Sequence, residues 1–184
     1  MLRCAAVKRL LAFSRWLDRI SDWIGVAAGW LCFAMVLLGA YNAIARYIDR
    51  GGSTHLSTNA FIEGQWYLFS AVFLLGAVYA LRKGSHVRVD LIYARLSSKG
   101  KAWLNLFGTA VFLVPFCLFT WWVSYPAIAR SWSISEQSPD PDGLARYPIK
   151  ALLLVALVLL LAQAASELIK NLAVVTGHIT GDHE

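Results

Sequence analysis

WIGVAAGWLCFAMVLLGAYNAIA, residues 23–45, runs for 23 residues without a charged side chain. A bilayer's hydrocarbon core is about 30 Å thick and needs about 20 helical residues at 1.5 Å each. This stretch is long enough to cross. Three more stretches of similar length follow at 61–81, 102–125 and 149–172. Short polar segments between them hold most of the charge. The expected fold is therefore all-α and integral to the membrane: four transmembrane helices in one membrane domain, residues 1–184.

Composition agrees with that reading. The chain is 58% hydrophobic and 15% charged, against about 25% charged for a soluble domain. The net charge of +6 raises the question of nucleic acid, but its placement argues against it. Lys and Arg flank the apolar stretches, where they meet anionic lipid headgroups.

That charge also gives an orientation. Twelve of the 17 basic residues lie in the N-terminal arm, in the loop 82–101 and at Lys170. The positive-inside rule places that side in the cytoplasm. Both termini are then cytoplasmic, and the loop 126–148 faces outward. A signal peptide is not expected, because the first apolar run starts late and lacks a clear cleavage site. In the arm, 5–21, Val7, Leu10, Leu11, Leu17 and Ile20 recur near helical spacing with Lys8, Arg9, Arg15 and Arg19 between them. The expectation is an amphipathic helix lying flat in the cytoplasmic interface.

Small residues recur at Gly25 and Gly29, at Gly76 and Ala80, and around Ala164 and Ser166. They let helices approach closely, within the chain or toward another membrane protein. Pro115 is expected to kink the third helix. Pro148 is expected to open the fourth, where a missing N–H costs little. Glu167 and Lys170, three residues apart, can pair on one helix face. Glu63 and Gln65 stand near the outer end of the second span, and Gln163 lies deepest in the fourth.

The chemistry this chain can carry is narrow. There is no GxxxxGK[ST], GxGxxG or HExxH pattern. His55, His86, His178 and His183 fall outside the spans, which argues against a bundle haem. Cys4, Cys32 and Cys117 form no close pair. No cofactor and no metal site is expected, and no enzyme activity. The spans lack the paired helix breaks and internal repeat of an alternating-access transporter core.

Two loops have unusual content. The loop after the second span reads RKGSHVRVDLIYARLSSKGK, 82–101. Gly84 can end the helix in the left-handed conformation, and Asp90 can cap a short helix after it. The segment PAIARSWSISEQSPDPDGLARYPIK, 126–150, is the longest outward one. Arg130 and Glu136 can tie the third helix to the loop, and Pro139, Pro141 and Gly143 force turns.

QWYLF (65–69), GSHVRVD (84–90), LS (96–97), the E-x-S of Glu136 and Ser138, and YPIK (147–150) occur in this order. Together they resemble the small membrane subunit of tripartite ATP-independent periplasmic (TRAP) transporters, over roughly residues 20–172. HVRVD is the most specific piece. The family usually has Trp where Tyr147 stands, and often Pro where Ala145 stands. The resemblance implies a division of labour. A periplasmic binding protein captures the substrate, usually a carboxylate. A large membrane subunit moves it, coupled to sodium, and the small subunit braces the large one and helps dock the binding protein.

On this resemblance the partners are the large subunit, the binding protein and membrane lipid, in the bacterial cytoplasmic membrane. Sodium coupling belongs to the large subunit. His86, Arg88, Asp90, Glu136, Ser138 and Lys150 are the motif residues expected to shape the structure or the subunit interface. Arg130, Asp140, Asp142 and Arg146 are the expected docking charges. Two other classes fit a small membrane domain: a stand-alone transporter or channel, and the membrane anchor of a redox complex.

Overall fold

The computed structural model describes residues 2–51, 56–84 and 96–177. Four helical spans, each long and apolar enough to cross a membrane, account for most of them. Helix α1 is Leu2–Asp49 and α2 is Asn59–Arg82. The third span joins α3, Ser98–Gly108, through a π-helical turn, Thr109–Leu113, to α4, Val114–Ser133. Helix α5 is Tyr147–Val175.

Each helix outruns its apolar stretch. Hydropathy ends at the last apolar residue, but a backbone ladder continues into polar flanks until something breaks it. Between Cys4 and Ile24 there is neither Gly nor Pro. The arm expected to lie flat at 5–21 is accordingly continuous with the first span. At 48 residues, α1 is about 72 Å long, more than twice the hydrocarbon thickness. Its early turns are not free: Ser14, Leu17, Asp18 and Ser21 are buried.

At Pro115, where a kink is expected, the helix passes through a π turn. The Val114 N–H reaches back to the Thr109 carbonyl, five residues away, and the proline follows as an early residue of α4. Pro126 does not end the span. Helix α4 continues through it to Ser133, so the loop begins at Ile134, not at 126, and Arg130 sits on a helix. Membrane helices tolerate an internal proline where neighbouring groups take up the freed carbonyl. Pro148 opens α5 in the first turn, and Gly84 has the left-handed φ of 61° that ends α2.

Helix α5 is the centre of the bundle. It touches α1, α2 and both pieces of the third span. Its buried residues include Ala156 and Gln163, Leu157 and Ala164, and Ser166 and Ala173, three pairs each two turns apart. Small side chains there let neighbours approach. Gly25 does the same on α1: a Cβ there would stand 2.3 Å from the Tyr79 ring. Gly29, its expected companion, and Gly76, the expected companion of Ala80, meet no neighbour among the described residues. The large apolar side chains point away from the bundle, with Trp30 70% exposed and Phe73 68%. That arrangement is inside-out for water and suited to lipid.

Candidate functional site

Polar side chains gather at the two ends of the bundle. One end carries the loop between α4 and α5, residues 134–146. The other carries the N-terminal part of α1 and the C-terminal parts of α2 and α5.

At the loop end the centre is Glu63, in the first turns of α2. It is only 3% exposed. Its carboxylate accepts the Ser138 hydroxyl and the Leu144 backbone N–H. The Ser138 oxygen in turn accepts the Asp140 N–H at 3.2 Å. Two more side chains of α2 hold the same loop: Asn59 Nδ2 donates to the Pro141 carbonyl at 3.0 Å, and Tyr67 Oη to that of Ala145 at 3.1 Å. The turn needs Gly143. A Cβ there would fall 2.4 Å from Ser138 Cβ and 2.9 Å from Glu63 Oε2.

The second tie runs to α5. Lys150 Nζ donates to Glu136 Oε2 at 2.5 Å. The Lys150 ammonium holds the Glu136 carboxyl below its ordinary range. The backbone closes the loop as well. The Glu136 N–H reaches the Ser131 carbonyl at 3.0 Å, and the Arg146 N–H reaches the Glu136 carbonyl at 2.9 Å. Trp132 and Tyr147 pack edge to face across the loop's two stems, 4.7 Å between centroids. The E-x-S pattern therefore works as a two-sided staple, with Glu136 held by α5 and Ser138 by α2.

The charges expected to dock a partner separate into two groups. Asp140 and Asp142 stand exposed at the tip, and Arg130 is exposed on α4. Arg146 is half-buried, and its backbone N–H closes the loop on the Glu136 carbonyl. Its backbone, not its guanidinium, is part of the anchor. Arg130 is not the tie to Glu136; Lys150 is. His86, Arg88 and Asp90 lie outside the described residues.

At the arm end the centre is Asp18, 7% exposed. Its Oδ1 accepts Ser166 Oγ at 2.9 Å and Gln163 Nε2 at 3.0 Å. Lys170 Nζ lies 3.2 Å from both carboxylate oxygens, and Arg82 Nε is 3.5 Å away. Ser14 pairs with Ser166 at 2.6 Å, and Ser21 donates to Gln163 Oε1 at 2.7 Å. Lys170 also meets Glu167 at 2.5 Å, the pairing that their three-residue spacing allows. The network joins α1, α2 and α5.

Neither cluster has the form of a catalytic or metal centre. Among the described residues, no group of three or more His, Cys, Asp and Glu side chains could hold a metal ion. Both carboxylates are consumed by donors from other elements. Sequence reasoning marks Glu63 and Gln163 as polar residues in spans and Tyr67 only as part of QWYLF, and misses Asp18, Ser14, Ser21 and Asn59. A charged residue inside an amphipathic arm looks solvated until its partners, about 150 residues later, are placed beside it.

A family model described as the DctQ component of tripartite ATP-independent periplasmic transporters matches residues 35–174. That is most of the chain, and the chain belongs to this family of transport components. Nothing matches among curated proteins or among solved structures.

Proposed function

We propose that this chain is the small subunit that braces the large membrane subunit of a sodium-coupled TRAP system and presents residues 134–146 to the periplasmic binding protein. Family membership implies a tripartite system with both partners. The cargo we infer is an organic acid or a similar carboxylate, with sodium coupling in the large subunit. The membrane is the bacterial cytoplasmic one, with both termini inside, on the strength of the charge asymmetry.

One observation carries the docking part of this reading. The loop is fixed to α2 through Glu63 and to α5 through Lys150, while Asp140 and Asp142 stay exposed at its tip. A surface held from both sides binds with less ordering cost than a free loop. Exposed charges at its rim act mainly on the rate and orientation of encounter. The bracing part is supported by the outward-facing apolar surface of four spans, far more than their own core consumes.

Co-expression with the large subunit tests assembly. The two should elute as one complex in size exclusion; transport by this chain alone in proteoliposomes contradicts the proposal. Cysteines at Ser97 and Ser133, in a background without native Cys, test the orientation. Ser133 should label from outside intact cells and Ser97 should not.

A further inference from the structure

A groove of about 410 Å³ runs along the last turns of α1 at the loop end, with Ile62 of α2 as its far wall. Its lining divides by chemistry. Gly39, Ala43 and Ile62 form its apolar lining, with the Gln65 carboxamide of α2 standing against Gly39. Arg46 and Arg50, one turn apart and both exposed, stand at the rim. Neither guanidinium pairs with a carboxylate among the described residues. The adjacent Asp49 is engaged, its two oxygens accepting the Leu56 N–H at 3.0 Å and the Ser57 N–H at 2.8 Å. On the wall, Asn42 Oδ1 accepts the Ser57 hydroxyl at 3.0 Å, which leaves its NH₂ as a donor.

We infer that this groove is a binding site for one anionic phospholipid, its phosphate held between Arg46 and Arg50 and an acyl chain lying along Ala43 and Ile62. Three physical facts converge. The site lies at the end of a membrane span, at the depth where headgroups meet hydrocarbon. Two uncompensated guanidinium groups favour a phosphate, which they grip in fork geometry. From them the lining turns mainly apolar along the helix at Ala43 and Ile62, as far as the Gln65 amide beside Gly39, which follows the polarity gradient of a phospholipid from headgroup to glycerol and upper acyl chain. The site needs only the membrane reading, so it stands or falls apart from the docking proposal.

The test is native mass spectrometry of the full chain with dioleoylphosphatidylglycerol, against dioleoylphosphatidylcholine and millimolar inorganic phosphate. The anionic lipid should be retained in preference to the zwitterionic one and should not be displaced by phosphate. Each arginine near an anionic lipid contributes about fivefold, so Arg46→Gln with Arg50→Gln should weaken retention about 25-fold. The double Lys variant should retain part of the affinity. Ala43→Phe, which fills the groove and leaves both charges, should also weaken it, and this variant decides if the double Gln variant does not fold. Unchanged retention in Ala43→Phe or in the double Gln variant overturns the inference. Displacement by phosphate overturns it in favour of a free-anion site. Loss of lipid on binding the large subunit overturns it in favour of a subunit contact.

Discussion

The two ends of the bundle each bury one carboxylate, and they satisfy it differently. Glu63 at the loop end is met by neutral donors, a hydroxyl and a backbone amide of the loop. Asp18 at the arm end is met by the Lys170 ammonium, with Arg82 beside it and neutral donors from Ser166 and Gln163. The difference follows from what each end must hold. A loop offers backbone N–H groups that need acceptors, so a carboxylate on a fixed helix can define its path. Three helices have no spare amides, so their polar ends must pair side chain with side chain. Breaking the first should loosen a surface. Breaking the second should loosen the bundle.

The largest expected effect tests that contrast at the arm end. Asp18→Ala leaves Lys170 and Arg82 half-buried without their shared anion. Removing one partner of a buried pair costs about 3–5 kcal/mol, and the cost here falls at the lower end, because Lys170 keeps Glu167 and Arg82 keeps Asp22. Thermal unfolding in detergent should show a clear drop in Tm, with Asp18→Asn milder because it keeps an acceptor. An unchanged Tm would mean that α1 and α5 are held by apolar packing alone.

A smaller and more local effect is expected at the loop end. Gly143→Ala drives a Cβ against Ser138 and Glu63, an overpacking of about 1–3 kcal/mol. Hydrogen exchange across 134–146 should quicken while the helices keep their protection. Glu63→Gln should do the same more weakly, since an amide still accepts one bond. If either variant melted the whole bundle, the two ends would not be separable.

The smallest effect concerns pH. Glu136 titrates below its ordinary range in the folded loop, chiefly because of Lys150. A depressed carboxyl pKa gives stability that is present above the unfolded value, about 4.3, and is lost as pH falls through the lowered one. Protection factors for the loop should therefore be flat from pH 6 to 8 and should decline only in acid. Loosening near neutrality would assign the tie to another group.

Sequence alone gave a good account of the spans and a partial one of the site. The four apolar runs lie inside the four helical spans, and the roles of Gly84, Pro148 and the Glu167–Lys170 pair are local enough to read from spacing. The spans' true ends were not legible, because hydropathy reports lipid contact and not where a backbone ladder stops. Pro126 misled for a related reason: proline ends helices in water more reliably than in a bundle. The anchors were hidden by distance along the chain. Ser138 lies 75 residues after Glu63, and Gln163 lies 145 after Asp18. Each partner taken alone is an ordinary polar residue near a helix end. Small-residue spacing likewise names Gly25 and Gly29 together, yet of the two only Gly25 meets a neighbour among the described residues.

The proposed docking surface is the firmly held loop, acting through the charges left at its tip. Its most direct test is transport in proteoliposomes containing the assembled membrane subunits, measured against binding-protein concentration. Reversing Asp140 and Asp142 to Lys should lower transport at limiting binding protein and recover in part at saturation, with assembly unchanged. These charges are exposed, so the shift should shrink as salt screens them beyond about 8 Å. An unaltered concentration dependence in the double reversal would contradict the claim and leave 134–146 as a connector between α4 and α5.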